Sequence, residues 1–393
     1  MSKQLGLKKN TIAAFLDQIK ICKDFRDPLK VEYSLEEIIF LVFCASLCDC
    51  QTYNEISDFG ELRIDWLRKH LPYKNGIPSH DTVNRVLGLI DPKQLEQLLV
   101  NWSMYEMVLP QGTVISIDGK WLNKSVTAQE QQTKVSEGGK QVKGMLNVYC
   151  SELSSCIASV GIGGRSSERK GADQALDMLE LSGCILTLDA GFCHHKTVDK
   201  IVKEKKADYV IGLKNNQKNL SKLGKKLFDK IDAEHAEYKQ VEKDHGRIES
   251  RTCRVLDIAS LSELKIEERE ILNKWEGLNS IIEIDSKREI LRTGKVSQQK
   301  RYYISSLDVS AQKASALIRS HWKIENNLHW VLDVVMREDS SGKQTKNAAI
   351  NYSIFLKMAL NHLKKVEDKG VSIKRKVKKC SGSLEYLEKT IYS

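Results

Sequence analysis

Residues 113–119 read "TVISIDG", an apolar run that ends on a carboxylate followed by a glycine. Residues 185–191, "ILTLDAG", repeat this order, with three apolar residues before Asp189 and a glycine two residues after it. A single Asp-Gly pair after an apolar run is ordinary turn chemistry. Because the pattern recurs, we predict two buried strands that deliver aspartates, Asp118 and Asp189, at their carboxyl ends.

Length and composition indicate a globular protein of two or more domains. The chain has 393 residues, 41% of them hydrophobic, and five prolines. Its first ten residues, "MSKQLGLKKN", lack the apolar segment of a signal peptide, and the apolar run at 38–47 is too short to span a bilayer. We therefore expect a soluble cytoplasmic protein with no membrane partner.

Ten cysteines occur at irregular spacings without a Cys-x-x-Cys pair. Cys44, Cys48 and Cys50 cluster, but Cys44 lies inside an apolar run of helical character. A zinc site requires a clearer ligand pattern, so reduced core cysteines are the better interpretation.

Positive charge is concentrated near the C-terminus. The formal net charge is +10, and residues 364–379 alone carry eight Lys or Arg against two acids. This basic C-terminal tail suits a polyanion such as DNA, although a solvated lysine-rich tail has the same composition.

Hydrophobic periodicity predicts a helical N-terminal region followed by an α/β region. Residues 1–105 contain helical patterns, including a capping box at Ser34 and Glu37, which fit a helix-turn-helix and equally any small helical domain. From about residue 112, strand-like runs alternate with helical ones, which predicts a mixed sheet with flanking helices. The predicted strands are 113–118, 144–150, 156–162, 184–189 and 208–214, and the predicted helices are 172–181 and 196–205.

Residues 218–300 are polar and contain strand-like pieces, so we interpret them as an insertion. Beyond it we predict a helix over 311–336. Its buried stripe is Ile324, Leu328, Val331 and Val335, and its opposite side repeats every four residues as His321, Glu325, His329 and Asp333. Glu325 is therefore expected to point away from the core, over a sheet edge.

Asp118, Asp189 and Glu325 together form a set of hard oxygen ligands. Such ligands suit Mg²⁺ or Mn²⁺, and two ions about 4 Å apart can promote phosphoryl transfer. Three neighbouring carboxylates repel one another without that positive charge. Zinc held by His321, His329 and Glu325 is the weaker alternative, because the sequence has no His-Glu-x-x-His.

Several longer stretches resemble one protein family in the same order. They are "FGELRIDWL", "NGIPSHDTVNRVL", "ISIDGK", "TLDAGFCHHKTVDKIVKEKKADYVIGLKNNQ", "HGRIESR", "HWKIENNLHWVLDVVMRED" and "ALNHLKK". The chain resembles DDE-type bacterial insertion-sequence transposases, in the branch of H-repeat-associated proteins. The resemblance implies a helical N-terminal domain (1–105), a ribonuclease H-like catalytic core (106–365) with a β-rich insertion at about 218–300, and the basic tail (366–393).

The resemblance also implies roles for single residues. Asp118, Asp189 and Glu325 match the catalytic, metal-binding acids. Related branches carry a Tyr-Arg-Glu-Lys motif, but here Ile318 and His321 occupy its first two positions, and its lysine position falls near Leu332 and Asp333. The remaining candidates are Arg247, Arg251, Lys343 and Lys346 for DNA phosphates, and His321, His329 and Asp333 as second-shell residues. Trp322 and Trp330 are interpreted as packing residues rather than base-stacking ones.

The function implied is a DNA transposase that binds insertion-sequence ends, cleaves DNA and transfers strands with two Mg²⁺ or Mn²⁺ ions. Its partners would be terminal inverted repeats and target DNA, on which it would act as a homodimer or higher oligomer near the nucleoid. Two alternatives are a metal-dependent nuclease without strand transfer and a domesticated, non-catalytic DNA-binding protein. The complete acid set argues against the second, and the sequence does not separate transposition from cleavage alone.

Overall fold

A computed structural model describes residues 12–105, 107–122, 143–163, 167–230, 237–244, 246–261, 264–343 and 345–393. The start of the predicted N-terminal domain and parts of the predicted insertion lie outside these residues. The chain divides into two compact units. Unit 1 comprises Met1–Val108, Gly119–Leu179 and Glu325–Ser393, and unit 2 comprises Leu109–Asp118 and Glu180–Ile324.

Unit 1 begins with short helices, as the sequence pattern predicts. Ser34 accepts a hydrogen bond from the Glu37 amide at 3.1 Å, and Glu37 accepts one from the Ser34 amide at 3.2 Å, which completes the predicted capping box. The helices are α1 (Ile12–Ile19), α2 (Leu35–Leu47), α3 (Tyr53–Leu62), α4 (Ile64–Leu67), α5 (His80–Leu89) and α6 (Pro92–Ser103).

A buried helix, α13 (Ala348–Lys365), organises the core of unit 1. Asn351 donates to the Leu87 and Ile90 carbonyls at 2.8 and 2.9 Å, which satisfies the C-terminal end of α5. The Trp102 indole donates to His362 Nε2 at 2.6 Å. Burial lowers the pKa of His362 to about 3, so this imidazole is neutral and can accept that bond.

The basic C-terminal tail is folded. It forms two helices, α14 (Ile373–Gly382) and α15 (Leu384–Ile391), that bury apolar side chains within unit 1. The Lys376 ammonium donates to the backbone carbonyls of Leu363 and Val366 at 2.9 and 2.8 Å. Removing residues 366–393 would therefore disturb packing as well as charge.

A mixed sheet dominates unit 2. Its strand order is β1-β4-β5-β9-β8-β7-β6, with β1, β4 and β5 parallel and the remaining neighbours antiparallel. The strands are β1 (Val114–Trp121), β4 (Ile185–Leu188), β5 (Asp208–Leu213), β6 (Glu237–Asp244), β7 (Arg247–Asp257), β8 (Ser280–Ile290) and β9 (Lys295–Ser305). Since β9 pairs with β5, the strands of the predicted insertion continue this sheet.

The last residues of β1 belong to unit 1. There the order is β3-β2-β1, with β2 (Lys143–Cys150) antiparallel to β3 (Ser155–Gly163). The flanking helices of the two units include α7 (Glu168–Asp177), α8 (His195–Asp199), α9 (Lys218–Lys230) and α10 (Ile266–Asn273). The predicted mixed sheet with flanking helices is thus confirmed.

The helix predicted over 311–336 is interrupted. It consists of α11 (Ala311–Ile324), a π-helical turn (Glu325–His329) and α12 (Trp330–Val334). A π-helical turn holds one more residue than an α-helical turn, so the residues beyond it change faces. As a result Leu332 is fully buried, and Val335 is only half-buried, contrary to the predicted stripe.

The structure also tests three predictions about which side chains are buried. His329 is buried, although it was placed on the outer side of the helix. Trp322 and Trp330 are 45% and 56% exposed, so their interpretation as packing residues is wrong. Nine of the ten cysteines are buried, as predicted for core cysteines, and all ten are free thiols. Within the described ranges, no helix has the length and apolar character needed to cross a membrane.

Candidate active site

Neighbouring parallel strands carry the two aspartates. In the register of β1 and β4, Ile117 lies opposite Leu188, so Asp118 and Asp189 are the next residue on each strand. The carboxyl ends of parallel strands meet at one sheet edge, where ligands of α/β proteins commonly bind. The strand bounds differ most from the prediction at β1, which continues to Trp121, so Asp118 lies within this strand and not at its carboxyl end. Strand β4 ends at Leu188, directly before Asp189.

Polar side chains support this edge from within the sheet. The Thr187 hydroxyl lies 3.0 Å from the Ser116 hydroxyl and 3.1 Å from His321 Nδ1. Both Thr187 and Ser116 lie two residues before an aspartate. The contact brings α11 against β4, and Glu325 follows His321 one helical turn later. His321 therefore contacts the strand that precedes Asp189.

A lysine that was not singled out from the sequence lies beside Asp189. Lys214 directly follows β5, the next parallel strand, and its Nζ is 3.5 Å from Asp189 Oδ1. Both side chains are more than half exposed. The signal available in the sequence was a third strand-like run ending on a charged residue, "DYVIGLK".

Glu325 lies near His329, which Asn147 holds in place. The Ser159 hydroxyl donates to Asn147 Oδ1 at 2.7 Å, so the Asn147 amide nitrogen faces His329 Nε2 at 3.0 Å. His329 Nε2 is thus the acceptor of this contact, and its Nδ1 faces Glu325 Oε2 at 3.8 Å.

The acids near this edge suit a divalent cation. Asp118 offers a carboxylate on β1, and Glu325 offers another on the π-helical turn. Carboxylate oxygens are the ligands that Mg²⁺ and Mn²⁺ prefer, and Asp189 adds another carboxylate on the strand next to Asp118. The donor set therefore fits Mg²⁺ or Mn²⁺ better than zinc.

A buried ionic cluster lies two residues beyond Asp118. We call it the Lys120 cluster, and it consists of Lys120, Asp333, Glu338, Asp339 and Lys357. Lys120 Nζ lies 2.6 Å from Asp333 Oδ1, 2.9 Å from Glu338 Oε2 and 2.9 Å from Asp339 Oδ1. Burial alone would lower the pKa of Lys120, but the carboxylates outweigh it and raise the pKa above its ordinary value.

Glu338 is the central acid of this cluster. Its Oε1 accepts from Ser353 Oγ at 2.6 Å and from Lys357 Nζ at 3.0 Å, both on α13. Burial would raise its pKa, but Lys357 and Lys120 together lower it to about 2. Asp333, predicted as a second-shell residue, thus contacts Lys120 at the margin of this cluster.

The two predicted phosphate-binding arginines belong to a network that we call the arginine ladder. It contains Arg247, Arg251, Arg288 and Arg319, which share the carboxylates of Glu242 and Glu249. Arg247 and Arg288 lie 3.2 and 2.8 Å from Glu249, and Arg319 donates to Glu242 at 2.8 Å. Arg251 contacts both acids. Four guanidinium groups against two carboxylates leave a surplus of positive charge on this surface.

The two predicted phosphate-binding lysines have different environments. Lys346 is exposed. Lys343 is 3% exposed, donates to the Gln51 carbonyl, and lies 3.5 Å from the centre of the Tyr352 ring. The burial of Lys343 argues against phosphate contact, because its ammonium is enclosed.

Two family models match the chain. A model described as "Transposase DDE domain" matches residues 110–362, and one described as "DDE_Tnp_1-associated" matches residues 16–103. The first alone spans more than half of the chain. The chain therefore belongs to the DDE transposase family.

Curated relatives agree with that assignment. "Putative transposase YncI" of Escherichia coli O157:H7 is 32% identical over 98% of this chain and 95% of its own length. "H repeat-associated putative transposase YhhI" of Escherichia coli (strain K12) is 32% identical over 95% of this chain and 96% of its own length. These relatives confirm that the chain is similar to insertion-sequence transposases of the H-repeat-associated branch.

One solved structure has a weaker similarity. It is a cryo-EM structure of the piggyBac transposase synaptic complex with hairpin DNA, with 11% identity and a TM-score of 0.43. The match covers 96% of this chain and 77% of that chain.

Proposed function

We propose that this transposase binds the ends of its insertion sequence, cleaves DNA there and joins the 3′-hydroxyl ends to target DNA. The observation that carries the proposal is the register of β1 and β4, which places Asp118 and Asp189 on adjacent parallel strands inside the region matched by the DDE family. We further propose that these strands belong to a ribonuclease H-like core.

Asp118, Asp189 and Glu325 are the residues that would hold Mg²⁺ or Mn²⁺ in this proposal, with two ions. When bound, such ions lower the pKa of a nucleophilic water or hydroxyl and stabilise the leaving oxygen of a phosphodiester. The chain itself supplies orientation. His321 supports the strand before Asp189, and His329, held by Asn147, faces Glu325 with its Nδ1.

Positive side chains around this edge would hold the DNA backbone. Lys214 lies beside Asp189 and is 71% exposed, which suits contact with a phosphate next to the cleaved bond. Lys346 and the arginine ladder, including Arg247 and Arg251, would bind phosphates farther along the DNA. These contacts position the duplex and carry no sequence information by themselves.

Asp189→Asn is the direct test. An amide is a poorer metal ligand and supplies no negative charge, so cleavage of a labelled end substrate in Mg²⁺ should fall by several orders of magnitude. Binding of the same DNA, measured in parallel in Ca²⁺ or without metal, should persist. Glu325→Gln should behave in the same way.

Asp199→Asn is a matched control. Asp199 has the same charge and is exposed, but it pairs with Lys203 on a surface helix. This variant should cleave like the parent protein. Normal cleavage by Asp189→Asn would refute the proposal, whereas cleavage without any joined product by the parent protein would identify a nuclease that lacks strand transfer.

A further inference from the structure

Lys120 is one of very few lysines that the described part of the chain buries against carboxylates. Its side chain is 7% exposed, and three carboxylates lie within 3 Å of its ammonium. Taking such a group out of water costs several kcal/mol, which the ion pairs offset only in good geometry. An apolar side chain would fill this position more simply, so the charge calls for a specific explanation.

The position of Lys120 along the chain supplies that explanation. It lies two residues after Asp118 on β1, and residues two apart on a strand point to the same face. Its three carboxylate partners lie between Asp333 and Asp339, which follow Glu325 and the π-helical turn in the sequence. The ion pairs therefore join the strand segment next to Asp118 to the segment that continues from Glu325.

Nearby contacts hold the second of these segments from its other side. Glu338 is fixed by Ser353 and Lys357 on α13. The turn before it includes Arg337, whose φ is 54°, and the Arg337 guanidinium pairs with Asp49. Several contacts thus hold the Asp333–Asp339 segment in place, so Lys120 pairs with a rigid set of acceptors rather than with a mobile loop.

We propose that Lys120 is a positioning residue, which fixes the β1 segment after Asp118 by anchoring it to the carboxylates of Asp333, Glu338 and Asp339, in the segment that follows Glu325. The proposal rests on the proposed function, because that function assigns Asp118 and Glu325 to metal binding. The Lys120 ammonium is paired with Asp333, Glu338 and Asp339, so it does not act as a phosphate ligand.

Lys357 provides a matched comparison within the same cluster. Its ammonium is fully buried against the same carboxylate, Glu338, but it lies on α13 and not on β1. A purely structural role would make Lys120 and Lys357 equivalent. A positioning role would separate them, since only Lys120 is tied to the strand that carries Asp118.

The experiment measures Mn²⁺ binding to the full-length protein without DNA, from the electron paramagnetic resonance signal of free Mn²⁺, together with thermal unfolding. Lys120→Met should weaken Mn²⁺ binding by about 10- to 100-fold, the usual effect of losing a residue that orients metal ligands. Lys357→Met should lower the melting temperature at least as much, yet bind Mn²⁺ like the parent protein. Lys120→Arg, which keeps the charge, should restore most of the affinity.

If Lys120→Met does not fold, Lys120→Met/Asp339→Asn removes the same anchor with one fewer unpaired carboxylate and should show the same weakening. Folded Lys120 variants with parental Mn²⁺ affinity would overturn the proposal, as would equal weakening in Lys357→Met. The Asp189→Asn variant separates this outcome from the proposed function. If it loses cleavage while the Lys120 variants keep their Mn²⁺ affinity, only the positioning role is wrong.

Discussion

The Lys120 cluster and the arginine ladder are built from the same chemistry, acids shared between several cations, but they differ in exposure. Lys120, Lys357 and Glu338 are each 7% exposed or less, whereas the side chains of Arg247, Arg251 and Glu242 are 30–42% exposed. Water screens charges at the surface and not in the interior. The two networks should therefore respond to mutation in opposite ways.

Burial makes the centre of the Lys120 cluster sensitive to the loss of Lys120, Lys357 or Glu338, because the remaining buried charge would be left without water or a partner. Exposure lets the arginine ladder lose one member at little cost in stability. It also lets its arginines change partners, since a phosphate can replace a carboxylate as the acceptor of the same guanidinium group. The first network is suited to fixing structure and the second to binding a polyanion.

Replacing Glu338 should produce the largest effect. Glu338→Gln leaves the Lys357 ammonium buried without a counter-charge, and the expected loss is about 3–5 kcal/mol of unfolding free energy. Chemical denaturation of the two proteins measures this difference. The matched change in the ladder, Glu242→Gln, should cost about 1 kcal/mol or less, and equal losses would contradict the comparison.

Acid titration tests the same residue independently. The folded pKa of Glu338, about 2, lies below its ordinary value of 4.5. A lowered acid pKa stabilises the fold above the ordinary value, and that contribution disappears as pH falls from about 4.5 toward 2. Glu338→Gln should therefore lose less stability across this pH range than the parent protein does.

The arginine ladder should affect DNA binding rather than folding. The double variant Arg247→Ala/Arg251→Ala should bind DNA more weakly and reduce the slope of log affinity against log salt by about 1–2, since each phosphate contact contributes about 0.9. Binding at several salt concentrations measures this slope.

Glu242→Gln is a control for the ladder, because it should change DNA affinity in the opposite direction. It frees Arg251 and Arg319 from a shared carboxylate, so DNA affinity should rise. If DNA affinity falls in this variant, the ladder serves the sheet and does not contact DNA.

The smallest expected effect on DNA binding comes from Lys346, and Lys343 is its control. Lys346→Asn should reduce the salt slope by about 0.9 if this exposed lysine contacts one phosphate, and asparagine suits the φ of 41° at this position. Lys343→Met should leave the slope unchanged, because that ammonium is enclosed by Gln51 and Tyr352. If only Lys343→Met changed the salt slope, Lys343 and not Lys346 would be the lysine that contacts a phosphate.

The sequence by itself determined the elements that carry the acids. Apolar runs ending at Asp118 and Asp189 predicted neighbouring strands, and the alternation of strands and helices predicted a mixed sheet, because residue periodicity and turn residues are local properties. The sequence motifs also identified the family. Periodicity likewise placed Glu325 on a late helix, although it predicted an uninterrupted one.

Only the tertiary structure decided which charges are buried and which partners they have. The π-helical turn at Glu325–His329 changed which residues of that helix face the core, and no local pattern predicts such an insertion. Lys120 and Lys343 look like any other lysines in the sequence. Lys120 pairs with Asp339, 219 residues away, and Lys343 donates to Gln51, 292 residues away, because burial depends on long-range packing rather than on the residue itself.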